Sequence, residues 1–188
     1  MAKDTRDSIV SAFISLAKQN PQRSSFTMSE IARQAGISRQ AIYQKHFQNY
    51  DDIIKYIHEQ TDQRIFQVFN NSCLRREENP IECFANFAIP LVYENRNIIR
   101  TLFVTQADPG WKEFLRDTYS KWILKNVHYN KEFDFSEDDM TYVVANMIIT
   151  FIEAWIRKEN PTPPEKFKKT FLLLTTISLR DYMILQEK

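Results

Sequence analysis

The sequence predicts an all-α fold of about nine helices, and three observations predict it. Two glycines and seven prolines punctuate 188 residues, whereas a sheet protein of this length needs more turns. Long apolar stretches repeat at three- and four-residue steps, the period of a helix buried on one face. Helix-start signatures stand ahead of such stretches, most clearly Thr27 with Glu30 and the run Ser136 to Asp139. The chain divides into an N-terminal helix-turn-helix unit, residues 1–50, and a helical body, residues 51–188.

The elements follow in order. A first helix, about Asp4 to Gln19, carries an apolar stripe of Ile9, Val10, Phe13, Ile14, Leu16 and Ala17. A polar loop with breakers, residues 20–25, ends it. Two short helices and a tight turn occupy Thr27 to about His46. A fourth helix opens at Asn49-Tyr50-Asp51-Asp52, whose acids suit the helix dipole, and extends to about Glu77. With no flexible linker before it, this helix joins the head to the body as a rigid lever. Asn79-Pro80 starts a fifth helix with proline at the first helical position, and Pro90 is expected to kink or end it. A sixth runs from about Asn95 to Gln106 and stops at Asp108-Pro109-Gly110. A seventh covers about Trp111 to Asn130. The eighth, about Ser136 to Glu159, has five turns of apolar stripe, and Pro161, Pro163 and Pro164 enforce the break after it. The ninth spans about Glu165 to Gln186.

The stretch Thr27 to Tyr43 is the most informative. Thr27 and Glu30 match a capping box. Ile31, Ala32 and Ala35 share one helical face. Gly36 supplies the positive φ that a tight turn requires, and Ser38 caps the next helix. Ile37 and Ile42 anchor the turn, and Ala32 is small enough for the helices to cross closely. This is the helix-turn-helix that enters the DNA major groove. Ser38, Arg39, Gln40, Tyr43, Gln44, Lys45 and His46 supply donors, acceptors and cations on the face that Ile42 leaves open. Arg reads guanine or phosphate, Gln reads adenine, and Ser, Tyr and Lys serve phosphates. An ordinary αα-hairpin with a solvated polar face has the same periodicity.

The run Ile31 to Tyr43, with Phe47 and the Asp-Asp-Ile-Ile helix start after it, resembles the TetR family of bacterial transcriptional regulators. The resemblance is detailed over about residues 5 to 57 and architectural beyond. It implies a homodimer that binds a double-stranded DNA operator, with a C-terminal domain that dimerises and often binds a small effector; the many aromatics of the body point to an apolar or aromatic one. It implies that Thr27 contacts phosphate at the start of the second helix, that Ser38 to Lys45 form the recognition helix, and that Tyr43 holds the family's aromatic phosphate-contact position. Two departures stand out. Phe47 lies four residues after Tyr43, where the family commonly has three. Tyr50 occupies the place of a phosphate-touching lysine; its phenol donates one hydrogen bond without charge, and Lys45 or His46 is expected to take over part of that contact.

Charge agrees with this division. Residues 1–50 hold seven Lys or Arg against three acids, and the rest hold 18 against 21; the basic end is the one with the helix-turn-helix. No apolar run is expected to span a bilayer and no signal-peptide core opens the chain, so a cytoplasmic protein without a membrane partner is expected. Cys73 and Cys83 form no metal-type cluster and are read as reduced thiols. His46, His58 and His128 are scattered, no nucleophile motif or phosphate loop is visible, and neither a cofactor, a metal site nor catalytic residues are expected.

The leading function is a sequence-specific dimeric regulator, a repressor released from its operator by a small-molecule effector. An activator or co-regulator of the same fold, a protein-interaction adaptor that has lost DNA binding, and a helical enzyme or ligand carrier are the alternatives. Candidate effector-pocket residues are Phe66, Phe87, Tyr93, Phe103, Trp111, Tyr119, Trp122, Phe151 and Trp155, with Glu94 or Glu153 as acidic members; plain core packing is the competing role for each. Candidate dimer-interface residues on helices eight and nine are Met147, Phe151, Trp155, Phe171, Leu174 and Leu179, some of which must cover the core of their own subunit.

Overall fold

A computed structural model describes residues 5–68, 70–71, 79–129 and 134–177. The described residues form helices and no strands: α1 (Thr5–Gln19), α2 (Met28–Ala35), α3 (Arg39–Lys45), α4 (Tyr50–Val68), a composite α5, α6 (Arg96–Val104), α7 (Trp111–Asn126), α8 (Glu137–Ile156) and α9 (Pro164–Thr176). Helix α5 runs through Pro80–Cys83, a π-helical turn Phe84–Ala88, and Ile89–Glu94.

Local chemistry sets the boundaries of the head. The Thr27 hydroxyl accepts from Glu30 N–H at 3.2 Å, and the Glu30 carboxylate accepts from Thr27 N–H at 2.9 Å. Gly36 ends α2 at φ 69°, the left-handed conformation that a side chain disfavours. Ser38 Oγ accepts from Ala41 N–H at 3.1 Å and starts α3. Asn49 Oδ1 accepts from Asp52 N–H at 2.9 Å and starts α4. Ile9, Phe13, Ile31 and Ile42 are all fully buried between α1, α2 and α3, so the expected stripe of α1 does cover the hairpin. Ala32 at the crossing is buried too.

Three expectations change in the body. Pro90 does not end α5, which continues through it to Glu94. The π-helical turn before it closes with Ile89 N–H on the Phe84 carbonyl. Widening one turn makes room for the proline, which has no N–H of its own to place. Cys83 is fully buried and disulfide-bonded, not a reduced thiol; two cysteines ten positions apart carry no spacing that tells one state from the other. Cys73 lies outside the described residues. Finally, α8 is 20 residues long and apolar enough to cross a membrane by length and composition, contrary to the expectation that no run qualifies. Its polar residues are too few to break the run, and helix periodicity alone does not separate a core helix from a span.

Helix α8 nevertheless packs into the helical body. Ala145, Ile149, Ile152, Trp155 and Ile156 are buried, and Trp155 stacks on Phe167 of α9 at 4.0 Å and on Tyr93 of α5 at 5.8 Å. The Trp155 indole N–H reaches the Thr162 carbonyl at 2.8 Å, which satisfies the donor that its burial would otherwise orphan. Arg100 of α6 donates to the carbonyls of Arg157 and Lys158 at 3.1 and 3.2 Å and covers the open end of α8.

Candidate nucleic-acid interface and body cavity

Helix α3 presents Arg39, Gln40, Gln44 and Lys45 to solvent, with Tyr43 and His46 half-buried at its flanks. Ile42 alone anchors it in the core, fully buried. The guanidinium of Arg39 lies 5.2 Å from the Tyr43 ring centre and donates to its hydroxyl at 3.2 and 3.3 Å. One base-reading and one phosphate-contact candidate are therefore held together along the same helical face. Gln48 donates from Nε2 to the Tyr43 carbonyl at 2.9 Å and fixes the turn after α3. Phe47 is buried and meets Tyr56 edge-on at 5.4 Å, with the Arg6 guanidinium over both rings. The extra residue before Phe47 is thus absorbed in the turn, and the aromatic still closes the head.

Thr27 is exposed at the start of α2, and its hydroxyl is part of the α2 cap. Arg23 grips Glu30 through two nitrogens at 2.8 and 3.1 Å. That contact, with the Thr27 hydrogen bonds, holds the Glu30 carboxyl down at about 2. Tyr50 points the other way. Its ring sits against Phe13 at 5.8 Å and Phe26 at 6.5 Å, and its hydroxyl donates to the Ala107 carbonyl at 2.5 Å, on the side of the body. Burial, then Asp108 and Asp51, push its phenol above the usual range, so it stays a donor. Sequence pattern placed Tyr50 at the head boundary but held no sign of which side its hydroxyl serves.

The body holds a partly open cavity of about 410 Å³ lined from α4, α5, α6, α7, the segment after α7, α8 and α9. Phe66, Phe103, Trp111, Tyr119 and Trp122 line it. Phe87, Tyr93, Phe151 and Trp155 do not line it. Tyr93 and Trp155 stack together instead, and Phe151 meets Phe171 edge-on at 6.2 Å. Lining residues that the aromatic pattern missed include Thr61, Phe84, Ile99, Leu115, Val144 and Ile148. Phe84, Ile99 and Leu115 belong to the buried core as well, and periodicity does not mark which core side chains face the cavity. No Lys, Arg, Asp or Glu is among the described lining residues. Glu94 is paired with Arg64 at 3.2 Å and Glu153 with Lys112 at 2.7 Å, both away from the cavity wall, so neither places a free charge there.

One buried acid adjoins the cavity. Asp62 of α4 is 5% exposed. Its Oδ1 accepts from the Tyr119 hydroxyl at 3.2 Å, and its Oδ2 has no hydrogen-bond partner. Burial pushes its carboxyl up to about 6, against the opposing pull of Tyr119 and His58. His58, one turn earlier, stacks on Phe114 at 3.8 Å and bonds Asp108 at 2.5 Å. In the sequence His58 is one of three scattered histidines and Asp62 does not stand out, because burial of an acid on a polar-rich helix leaves no local pattern.

Of the dimer candidates, Trp155 and Phe171 are buried in the chain's own core, Phe151 and Leu174 are half-buried, and Met147 is 37% exposed. Leu179 lies outside the described residues. The large apolar side chains left open on α8 and α9 are Tyr142, Val143, Met147 and Leu173. Among the described residues no cluster of three or more His, Cys, Asp or Glu has metal-binding geometry.

No family model matches the chain, and no curated protein matches it in sequence. Solved structures do match. NalD of Pseudomonas aeruginosa, the secondary repressor of the MexAB-OprM multidrug efflux pump, superposes with a TM-score of 0.61 at 16% identity, over 90% of this chain and 94% of its own. DhaS, an activator of a dihydroxyacetone kinase operon, gives 0.58 at 20% identity over 91% and 93%. A TetR transcriptional regulator from Streptococcus agalactiae gives 0.58 at 20% identity over 90% and 92%. The chain has the fold of these regulators across nearly its whole length.

Proposed function

We propose that this chain, built on the TetR-type fold, is a sequence-specific, dimeric DNA-binding transcriptional regulator whose operator affinity is set by a small uncharged effector. The observation that carries the proposal is the pairing of two features in one chain. A capped helix-turn-helix presents Arg39, Gln40, Gln44 and Lys45, and a body joined to it by continuous α4 holds an apolar cavity. Arg39 and Gln40, at the N-terminal end of α3, are the base-reading residues, and Lys45, Tyr43, Ser38 and Thr27 hold the phosphate backbone. His46, at the end of α3, assists at its C-terminal edge.

Two protomers pair through the open apolar faces of α8 and α9, around Tyr142, Val143, Met147 and Leu173. Four such helices form a bundle with isologous contacts. The two recognition helices then meet successive major grooves, about 34–36 Å apart. The effector is apolar because the wall is lined almost wholly by apolar side chains and no Lys, Arg, Asp or Glu is among them, so an ion there would lose its hydration against apolar groups. It acts by preferring a dimer whose recognition helices no longer fit both grooves. In this reading the chain represses and the effector releases it. Activation is the second reading, favoured by the match to DhaS, an operon activator of the same fold.

Selection from a pool of random duplexes tests the proposal. Enrichment of a two-fold symmetric site with half-sites one helical turn apart supports it. Absence of any enriched sequence under conditions that keep the chain folded and dimeric refutes it.

A further inference from the structure

We infer that the turn between α6 and α7, residues 105–110, carries occupancy of the cavity to the DNA-binding head, with Tyr50 as its latch. The inference rests on the reading of the cavity as an effector site. Both ends of the turn are cavity wall: Phe103 precedes the last residue of α6, and Trp111 is the first of α7. The middle of the turn is bonded to the N-terminal half of the chain three times. Gln106 N–H donates to the Pro21 carbonyl at 2.7 Å, in the loop between α1 and α2. The Tyr50 hydroxyl donates to the Ala107 carbonyl at 2.5 Å. His58 Nε2 meets Asp108 Oδ2 at 2.5 Å.

The turn is also stiff. The Thr105 hydroxyl donates to the Thr101 carbonyl at 2.8 Å and accepts from Ala107 N–H at 3.3 Å. Asp108 Oδ1 accepts from Gly110 N–H at 3.1 Å. Ala107 is fully buried. A stiff segment with both ends on the cavity wall cannot follow a shift of Phe103 or Trp111 while its bonds to the head stay as they are. Those bonds move the head or break. Two tethers hold parts of the head itself: Pro21 enters α2, and the Tyr50 ring is part of the Phe13 and Phe26 cluster. The competing route is α4 alone, which runs from the head to the cavity residues Ile65 and Phe66. Tyr50→Phe tests the latch against the other connections, α4 and the Gln106–Pro21 bond. It keeps the ring and α4 and removes one O–H donor from the turn.

The test is hydrogen exchange on the full chain, read by peptide, with the cavity filled in two ways. One is Nile red, an uncharged aromatic dye; the other is Val144→Phe, which fills the cavity from its own wall. Either filling should change exchange at Gln106 and across residues 9–26 by about fivefold or more, the lower end of ordinary coupling between sites. In Tyr50→Phe the cavity-wall peptides should respond as before, while the response of residues 9–26 falls by about fivefold or more. A head response of equal size in Tyr50→Phe removes Tyr50 as the latch and overturns the inference, whichever of α4 and the Gln106–Pro21 bond then carries the response. A cavity-wall response with no head response in the unsubstituted chain overturns it as well. Failure of Nile red to bind counts against the effector reading alone, because Val144→Phe still decides the route. If Val144→Phe loses its helical circular dichroism, the dye decides instead. A chain that neither binds the dye nor accepts the phenylalanine has no usable cavity, and the inference falls with it.

Discussion

Asp62 should make the folded chain lose stability as pH rises from about 4 to above 6. It is 5% exposed on α4, with one oxygen held by Tyr119 and the other unpartnered. Burial raises its carboxyl to about 6 in the folded chain, while an aspartate in an unfolded chain titrates near 3.9. Between those two values the folded chain keeps a proton that the unfolded chain has released. Stability is therefore highest below about pH 4, falls through the window to pH 6, and levels off above it. At about 1.4 kcal/mol per pH unit, a window of roughly two units corresponds to about 3 kcal/mol. Asp62→Asn has no carboxyl to ionise. The difference in unfolding free energy between this variant and the parent should shift by about 3 kcal/mol in favour of the variant from pH 4 to pH 7. Urea denaturation followed by circular dichroism, in a pH series on both proteins, measures this. The difference profile removes all other titrating groups that the two share. Parallel profiles across the series would show that Asp62 ionises freely in the folded chain, and the account of its burial would be wrong.

Arg39→Ala or Gln40→Ala should each cost about 1–3 kcal/mol on the selected site and relax preference at one position per half-site; an unchanged profile across a randomised operator library argues against base reading by that residue. Lys45→Ala should lower the magnitude of the salt slope by about one unit while weakening all sequences alike, and a slope equal to the parent's would remove Lys45 from the backbone contacts. Gly36→Val places a branched side chain at φ 69° and should cost about 1–2 kcal/mol in thermal or urea unfolding, with Gly36→Asn much milder; equal stability of the two variants would mean that the turn relaxes to another conformation. Leu173→Glu or Val143→Glu, at positions 56% and 48% exposed, should give a helical monomer that has lost tight binding to a two-half-site operator, and a stable dimer in sedimentation would place the interface elsewhere.

The head was legible in the sequence because its signals are local. Thr27 and Glu30, Gly36, and Ser38 each fix a backbone feature within four residues of themselves, and all appear in the fold where their chemistry puts them. The body was legible as helices and much less as a site. Trp155 and Trp111 are both large aromatics on amphipathic helices, yet one is stacked between Tyr93 and Phe167 while the other lines the cavity. That choice depends on which helices face each other, which periodicity does not encode. Pro90 misled for a related reason: a proline breaks a regular helix, but a π-helical turn ahead of it is invisible to a pattern of period 3.6. Tyr50 and Asp62 depend on partners 57 residues away in sequence, Ala107 and Tyr119. Long-range pairing of that kind leaves no trace in the residues around either partner.

The central claim is that α3 reads DNA sequence from a dimer. Fluorescence anisotropy of the selected duplex and of a scrambled duplex of equal length, at physiological salt, tests it most directly. The account predicts that the selected duplex binds about a thousandfold or more tightly than the scrambled one, saturates at two protomers per duplex, and loses most of that ratio in Arg39→Ala. Equal affinity for the two duplexes, with a folded dimeric chain, would contradict it.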